Sequence, residues 1–168
     1  KDEVSSFVKS IYGHFALVVQ KNDLTFIAVD KIRSTPLFFA KIKDDFFIDY
    51  DPKNLVKFNQ FHKTIDENAK LEVAMSGFTI GNKTIYKNLH SLKAGELVLF
   101  QYDSHEYEHY YKYFGKVDNK SFDEHLEKLS EVTLNIFQKM LSQIGNRQIV
   151  IPLSGGYDSR LIVSILSH

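Results

Sequence analysis

The hydrophobic rhythm of this 168-residue sequence changes once, near residues 115–120, and that change restricts the folds open to it. Before it, apolar residues come in short β-branched or aromatic runs: Phe15–Val19, Leu24–Val29, Leu37–Ala40 and Phe46–Ile48. Turn-like patches at Gln20–Asp23, Ser34–Pro36 and Lys43–Asp45 separate the runs, which predicts an antiparallel meander. After it, Phe122, Leu126, Leu129, Val132, Ile136, Phe137, Met140, Leu141 and Ile144 recur at spacings of three and four. That spacing places them on one helical face, with Ser121 and Glu124 as a capping box and Gly145 as the stop. The polar stretch "GKVDNK" between the two rhythms is read as a linker over 115–120. A β-rich domain over 1–114 and the start of a second domain over 121–168 are therefore predicted.

Within the first part, "PKNLVKFNQF" and "DENAKLEVAM" read as short helices, with Asp66 and Glu67 acidic at a helix start. Strands resume in "FTIGNKTIYKNLHSL", with Gly81-Asn82 as a hairpin turn, and in "AGELVLFQYD". "HEYEHYYKYF" alternates aromatic and polar residues as a last strand. No basic patch accompanies its tyrosines, so they are assigned to packing rather than to stacking on bases.

Twenty-one basic residues balance twenty-one acidic ones, which argues against nucleic acid and anionic membrane as partners. No apolar stretch reaches the roughly 18–20 residues of a membrane span, and no signal-peptide pattern opens the chain. Residue 1 is Lys, which suggests a processed or excised sequence. The lack of cysteine removes disulfides, thiolate metal sites and cysteine nucleophiles together, and fits a reducing, cytoplasmic setting. His105 and His109 stand four apart; a strand or linker is not expected to bring them to one face, which disfavours zinc there.

The chemistry concentrates in "IVIPLSGGYDSR", residues 149–160. An apolar run, read with "RQ" before it as a buried strand, meets Ser-Gly-Gly and then a helix, an order that opens α/β nucleotide-binding units. Without Cβ atoms, Gly155 and Gly156 can take positive φ and let the backbone approach a ligand. Free N–H groups of the first helical turn, with the helix dipole behind them, favour anionic oxygen. Ser154 and Ser159 add hydroxyl donors. A bare carboxylate would repel phosphate, so Asp158 fits such a site as a ligand of Mg²⁺. The competing reading makes Asp158 a helix N-cap and the glycines a tight turn. No lysine occupies the position a kinase-type P-loop requires, and Ser154 has no base at hydrolase spacing.

"LSGGYDSR" resembles the pyrophosphate-binding loop of the ATP pyrophosphatase superfamily, and within it the asparagine synthetase family. "GHFALVV", "AVDKIRSTPLFF", "TIYKNLHSLKAGELVLF" and "HEYEHYYKYF" resemble further segments of that family in the same order. The resemblance implies an α+β N-terminal part, antiparallel and glutaminase-like (the Ntn-hydrolase type), of which residues 1–111 are the later half. It implies that an α/β PP-loop domain of the adenine nucleotide α-hydrolase type follows. It further implies ATP and Mg²⁺ at Ser154, Gly155, Gly156, Asp158, Ser159 and Arg160, with Asp158 on the metal. The reaction implied is adenylation of a small-molecule carboxylate, release of pyrophosphate and attack by ammonia or an amine.

Departures qualify the resemblance. The family's glutaminase cysteine has no counterpart, so any ammonia would need another source; a homodimer or a separate glutaminase is the partner expected. Val29 and Arg33 stand where the family has arginine and glycine, and Arg160 where it has serine. Arg160 could strengthen pyrophosphate binding or pair with a carboxylate elsewhere. The alternatives to an asparagine-forming ligase are a relative that forms β-lactams, a sugar amidotransferase of surface-polysaccharide synthesis, and a non-catalytic scaffold.

Overall fold

The computed structural model of the chain describes residues 2–22, 24–115 and 117–167. Two compact units divide it, Lys1–Phe114 and Gly115–His168.

The first unit holds helix α1 (Asp2–Ser10), strands β1 (Ala16–Lys21), β2 (Leu24–Val29), β3 (Phe38–Ile42) and β4 (Asp45–Asp49), and helices α2 (Pro52–Val56) and α3 (Glu67–Ser76). Strands β5 (Leu89–Ser91), β6 (Glu96–Gln101) and β7 (Ser104–His109) complete it. The strands form two antiparallel sheets, ordered β1-β2-β6-β7 and β4-β3-β5.

The strand period of two sorts the side chains into three layers of core. Ile27 and Val29 of β2 join Phe39 of β3 and Val98 and Phe100 of β6 between the sheets. Phe26 and Ala28, on the opposite face of β2, pack with Leu97 and with Val8 of α1. On the far side of the second sheet, Ala40 and Ile42 meet Leu55 of α2, Phe61 and Leu89. The order is thus helix, sheet, sheet, helix. Full burial of side chains such as Phe39, Ile27 and Leu55 stabilises by about 1.5–3 kcal/mol each.

The single meander expected over residues 15–48 is instead split between the sheets. Hairpins β1-β2 and β3-β4 are present, but β2 pairs with β6 and β3 with β5. The chain crosses from one sheet to the other over residues 30–37, because β2 and β3 must both turn apolar faces into the shared core. Helix α1 was not foreseen at all. The expected hairpin at Gly81-Asn82 is also absent: residues 78–88 form turns tied by single bridges, Ile65 with Tyr86 and Lys83 with His90. The helix at 67 starts as its acids require, since the Asp66 side chain accepts from the N–H of Asn68 and Ala69.

In the second unit, helix α4 (Phe122–Ile144) carries the capping box of Ser121 and Glu124 and stops at Gly145. Helix α5 (Tyr157–Leu166) follows the glycine loop. The buried strand expected at "RQIVIPL" is not formed; residues 147–153 have no ladder partner and Val150 is 81% exposed. An extended apolar run becomes a strand only when another strand satisfies its N–H and C=O groups, and no described residue of this unit does so.

Candidate functional site

The loop before α5 is organised by its two serines. Their hydroxyl oxygens lie 3.0 Å apart. Ser159 Oγ accepts from the Ser154 N–H at 3.2 Å, and Ser154 Oγ accepts from the Gly156 N–H at 3.2 Å. The five-residue spacing of these serines, set by one turn of loop and the first turn of α5, brings them together. Gly156 is the N-cap, at φ −80° and ψ 162°, and gives no side-chain cap bond. Asp158 lies within the first turn of α5 and caps nothing, which removes the N-cap reading of that residue.

Two expectations about the loop change in detail. Neither Gly155 nor Gly156 adopts positive φ, so the glycines are not required by backbone handedness. A Cβ on Gly155 would meet nothing within 4 Å, and one on Gly156 would touch only Ser154 Oγ, at 3.4 Å. What their lack of side chains leaves is open space over the loop's N–H groups. Asp158 and Arg160 are both exposed and form no ion pair among the described residues. The structure therefore brings Ser154, Gly156 and Ser159 into one hydrogen-bonded turn and sets Asp158 and Arg160 beside it without partners.

In the first unit, the crossing between sheets is built on Asp30, which is 2% exposed. Its carboxylate accepts from the N–H groups of Phe15 at 3.1 Å, Ile32 at 2.9 Å and Ser34 at 3.1 Å, and from the Ser34 hydroxyl. Burial by itself pushes this carboxyl up, but the bonds from Ser34, Ile32 and Phe15 outweigh it and hold it below the usual aspartate range. The turn so fixed presents Arg33 in the left-handed region, at φ 56°. Arg33 donates from Nη2 to Ser91 Oγ at 2.6 Å, while its buried Nε has no partner. The one sequence signal for this residue was that it stands where the family of the stated resemblance has glycine; its contact is with a residue 58 positions away.

A second buried acid, Glu96, lies at the same end of the sheet, next to Gly95, whose N–H donates to the Asp30 carbonyl at 3.0 Å. It accepts from the Lys93 N–H at 2.7 Å and from Asn82 Nδ2, and its Oε1 lies 3.4 Å from His109 Nε2. The period of β7 places residues 105, 107 and 109 on one face, contrary to the expectation that His105 and His109 diverge. Their surroundings nevertheless differ. His105 packs edge-on against Phe39, ring centroids 4.9 Å apart, and beside His90, whereas His109 faces Glu96. Among the described residues no group of three or more His, Cys, Asp or Glu could hold a metal ion, and no helix is long and apolar enough to cross a membrane.

No curated protein gives a significant match to the chain. A family model described as a glutamine amidotransferase domain matches residues 4–111, from α1 through both sheets to the residues after β7. That span is more than half of the sequence and contains strands β1 to β7, and on this ground the chain belongs to the glutamine amidotransferase domain family.

Proposed function

We propose that the chain is part of an asparagine synthetase-like, ATP-dependent amidotransferase in which the loop from Ser154 to Arg160 holds the pyrophosphate of ATP. The supporting observation is the start of α5. Because the Gly156 cap gives no acceptor, N–H groups of the first turn stay open to ligand oxygens, with the Ser154 and Ser159 hydroxyls at their edge. Asp158, exposed and without an ion-pair partner among the described residues, has the hard oxygen donors that Mg²⁺ takes. A bound Mg²⁺ would neutralise phosphate charge there. Arg160, one turn after the Gly156 cap, would add a cation for the same anion.

In this reading a carboxylate oxygen of the acceptor attacks the α-phosphorus of ATP, and the bond to the β-phosphate oxygen breaks. The loop's N–H and hydroxyl donors stabilise the charge that develops on the departing pyrophosphate. Ammonia or an amine then attacks the acyl carbon and AMP leaves. No cysteine is present among the 168 residues to form a glutamine thioester, so the nitrogen is supplied from outside them, as ammonia or by a separate glutaminase.

Calorimetric titration of the chain with ATP and Mg²⁺ tests the reading. The expected result is magnesium-dependent binding that weakens at least tenfold in Asp158→Ala and in Ser154→Ala. Equal affinity in the presence and absence of Mg²⁺, or an unchanged affinity in Asp158→Ala, would overturn it.

A further inference from the structure

The first unit contains a cavity of about 1000 Å³ at the edge of the three-stranded sheet, walled by β3, α2, the end of α3 and the turns at 78–86 and 91–94. Its volume is at the upper end of the roughly 300–1,000 Å³ typical of small-molecule sites. Five cationic side chains line it, Arg33, Lys53, Lys57, Lys83 and Lys93, and no acidic one does. Two of the five are neutralised from behind: Lys83 pairs with Glu72 at 2.5 Å and Lys93 with Glu96 at 3.6 Å. Arg33, Lys53 and Lys57 have no acidic partner among the described residues.

The rest of the wall is mainly apolar and aromatic, including Phe38, Val56, Phe78, Ile80 and Tyr86. Phe38, Val56 and Tyr86 are more than half hidden, while Phe78 and Ile80 are 62% and 64% exposed. Arg33 sits where cation and apolar wall meet. Its guanidinium carbon lies 5.7 Å from the centre of the Phe38 ring, its Nη2 is fixed by Ser91, and its Nε is buried and unpartnered. A planar, weakly hydrated guanidinium in such a position is suited to a bidentate anion. A left-handed backbone conformation is unfavourable at a non-glycine residue, so the fold holds this arginine in place against strain.

We propose that this cavity is a binding site for an amphipathic organic anion, a carboxylate or phosphate on an apolar body, with Arg33 as the anion-binding residue and Phe38, Phe78 and Tyr86 holding the body. The proposal does not depend on the ATP site of the second unit. Carboxylate and phosphate headgroups share this chemistry, and the choice between them is an arm of the test.

The probes are 4-phenylbutyrate, its neutral amide and phenyl phosphate, titrated into the 168-residue chain with backbone amide chemical shifts as readout. Saturable shifts are expected at Ile80, Lys83 and Tyr86, with at least one anion bound tenfold or more tighter than the amide. In Arg33→Gly the anion-to-amide ratio falls to near one; glycine takes φ 56° without strain, which compensates for the lost bond to Ser91. Lys57→Gln, at the exposed C-cap of α2, lowers the ratio about two- to threefold and serves if the first variant fails to fold. Shifts confined to α4, equal affinity for anion and amide, or a ratio unchanged in both variants would overturn the proposal.

Discussion

The hydroxyl of Tyr110 donates to the carbonyl of Val29 at 2.7 Å, joining the residue after the last strand to the end of the second across 81 positions of chain. Val29 immediately precedes Asp30, so this bond fastens the start of the crossing between sheets. Tyr110 is 5% exposed and packs in the layer under α1. Tyr110→Phe keeps the ring and strands a buried acceptor, at a cost of about 1–2 kcal/mol. Urea denaturation should show a lowered midpoint with an unchanged slope.

The same residue predicts an alkaline transition. Burial, and secondarily the charge of Asp30, push the Tyr110 phenol up to about 12, against about 10 when unfolded. A raised folded value means that the stabilisation is complete below pH 10 and is lost as pH rises toward 12. Burial also raises the phenol of Tyr107, which adds to the effect. Stability measured between pH 9 and 12 should fall over that window, and less steeply in Tyr110→Phe.

At the acidic side, His90 and His105 are the sensitive groups. Burial lowers both, and His90 is lowered further by His105, with ring centroids 5.4 Å apart. Depressed folded values mean that stability is full above the unfolded value near 6.5 and is lost as pH falls through the folded ones. The urea midpoint should hold from pH 8 to 7 and decline toward pH 5. His105→Phe should flatten that decline.

Gly95 tolerates no side chain. Its φ is 67°, and a methyl group there would collide with the carbonyl oxygen of Tyr111, whose own N–H donates to the Gly95 carbonyl at 3.1 Å. Gly95→Ala should cost about 2–4 kcal/mol, more than most single substitutions. The thermal midpoint of the first unit reports it.

Lys43 offers the opposite sign. It occupies the two-residue turn between Ile42 and Asp45, which pair across β3 and β4, and its φ is 58°. Lys43→Gly removes left-handed strain at the cost of some unfolded-state entropy, for a net gain of about 0.5–1 kcal/mol. The gain should appear as a raised thermal midpoint with unchanged circular dichroism.

Local patterns determined much of this molecule before any folding. The apolar runs at 24–29 and 96–101 become β2 and β6 because alternate residues there suit two buried faces. Ser121 and Glu124 start α4 because a capping box satisfies its own N–H groups within four residues. The serines and glycines before α5 were visible as a donor-rich turn for the same local reason. Helix α1 was not visible, since "DEVSSFVKS" is too short to be helical without burying Val8 against the first sheet.

Tertiary structure alone decided the rest. Which strands pair is a choice among distant partners: Phe26 faces Leu99 and Phe39 faces His90, contacts whose loop entropy no local pattern reveals. The apolar run at 149–153 remained unpaired because strand formation needs a neighbour, not only an apolar composition. Arg33 became a lining residue of a cationic cavity only when Asp30 bent the chain and Ser91 met it from 58 positions away. A sequence supplies the groups, but whether charges converge on one cavity depends on how the sheets are stacked.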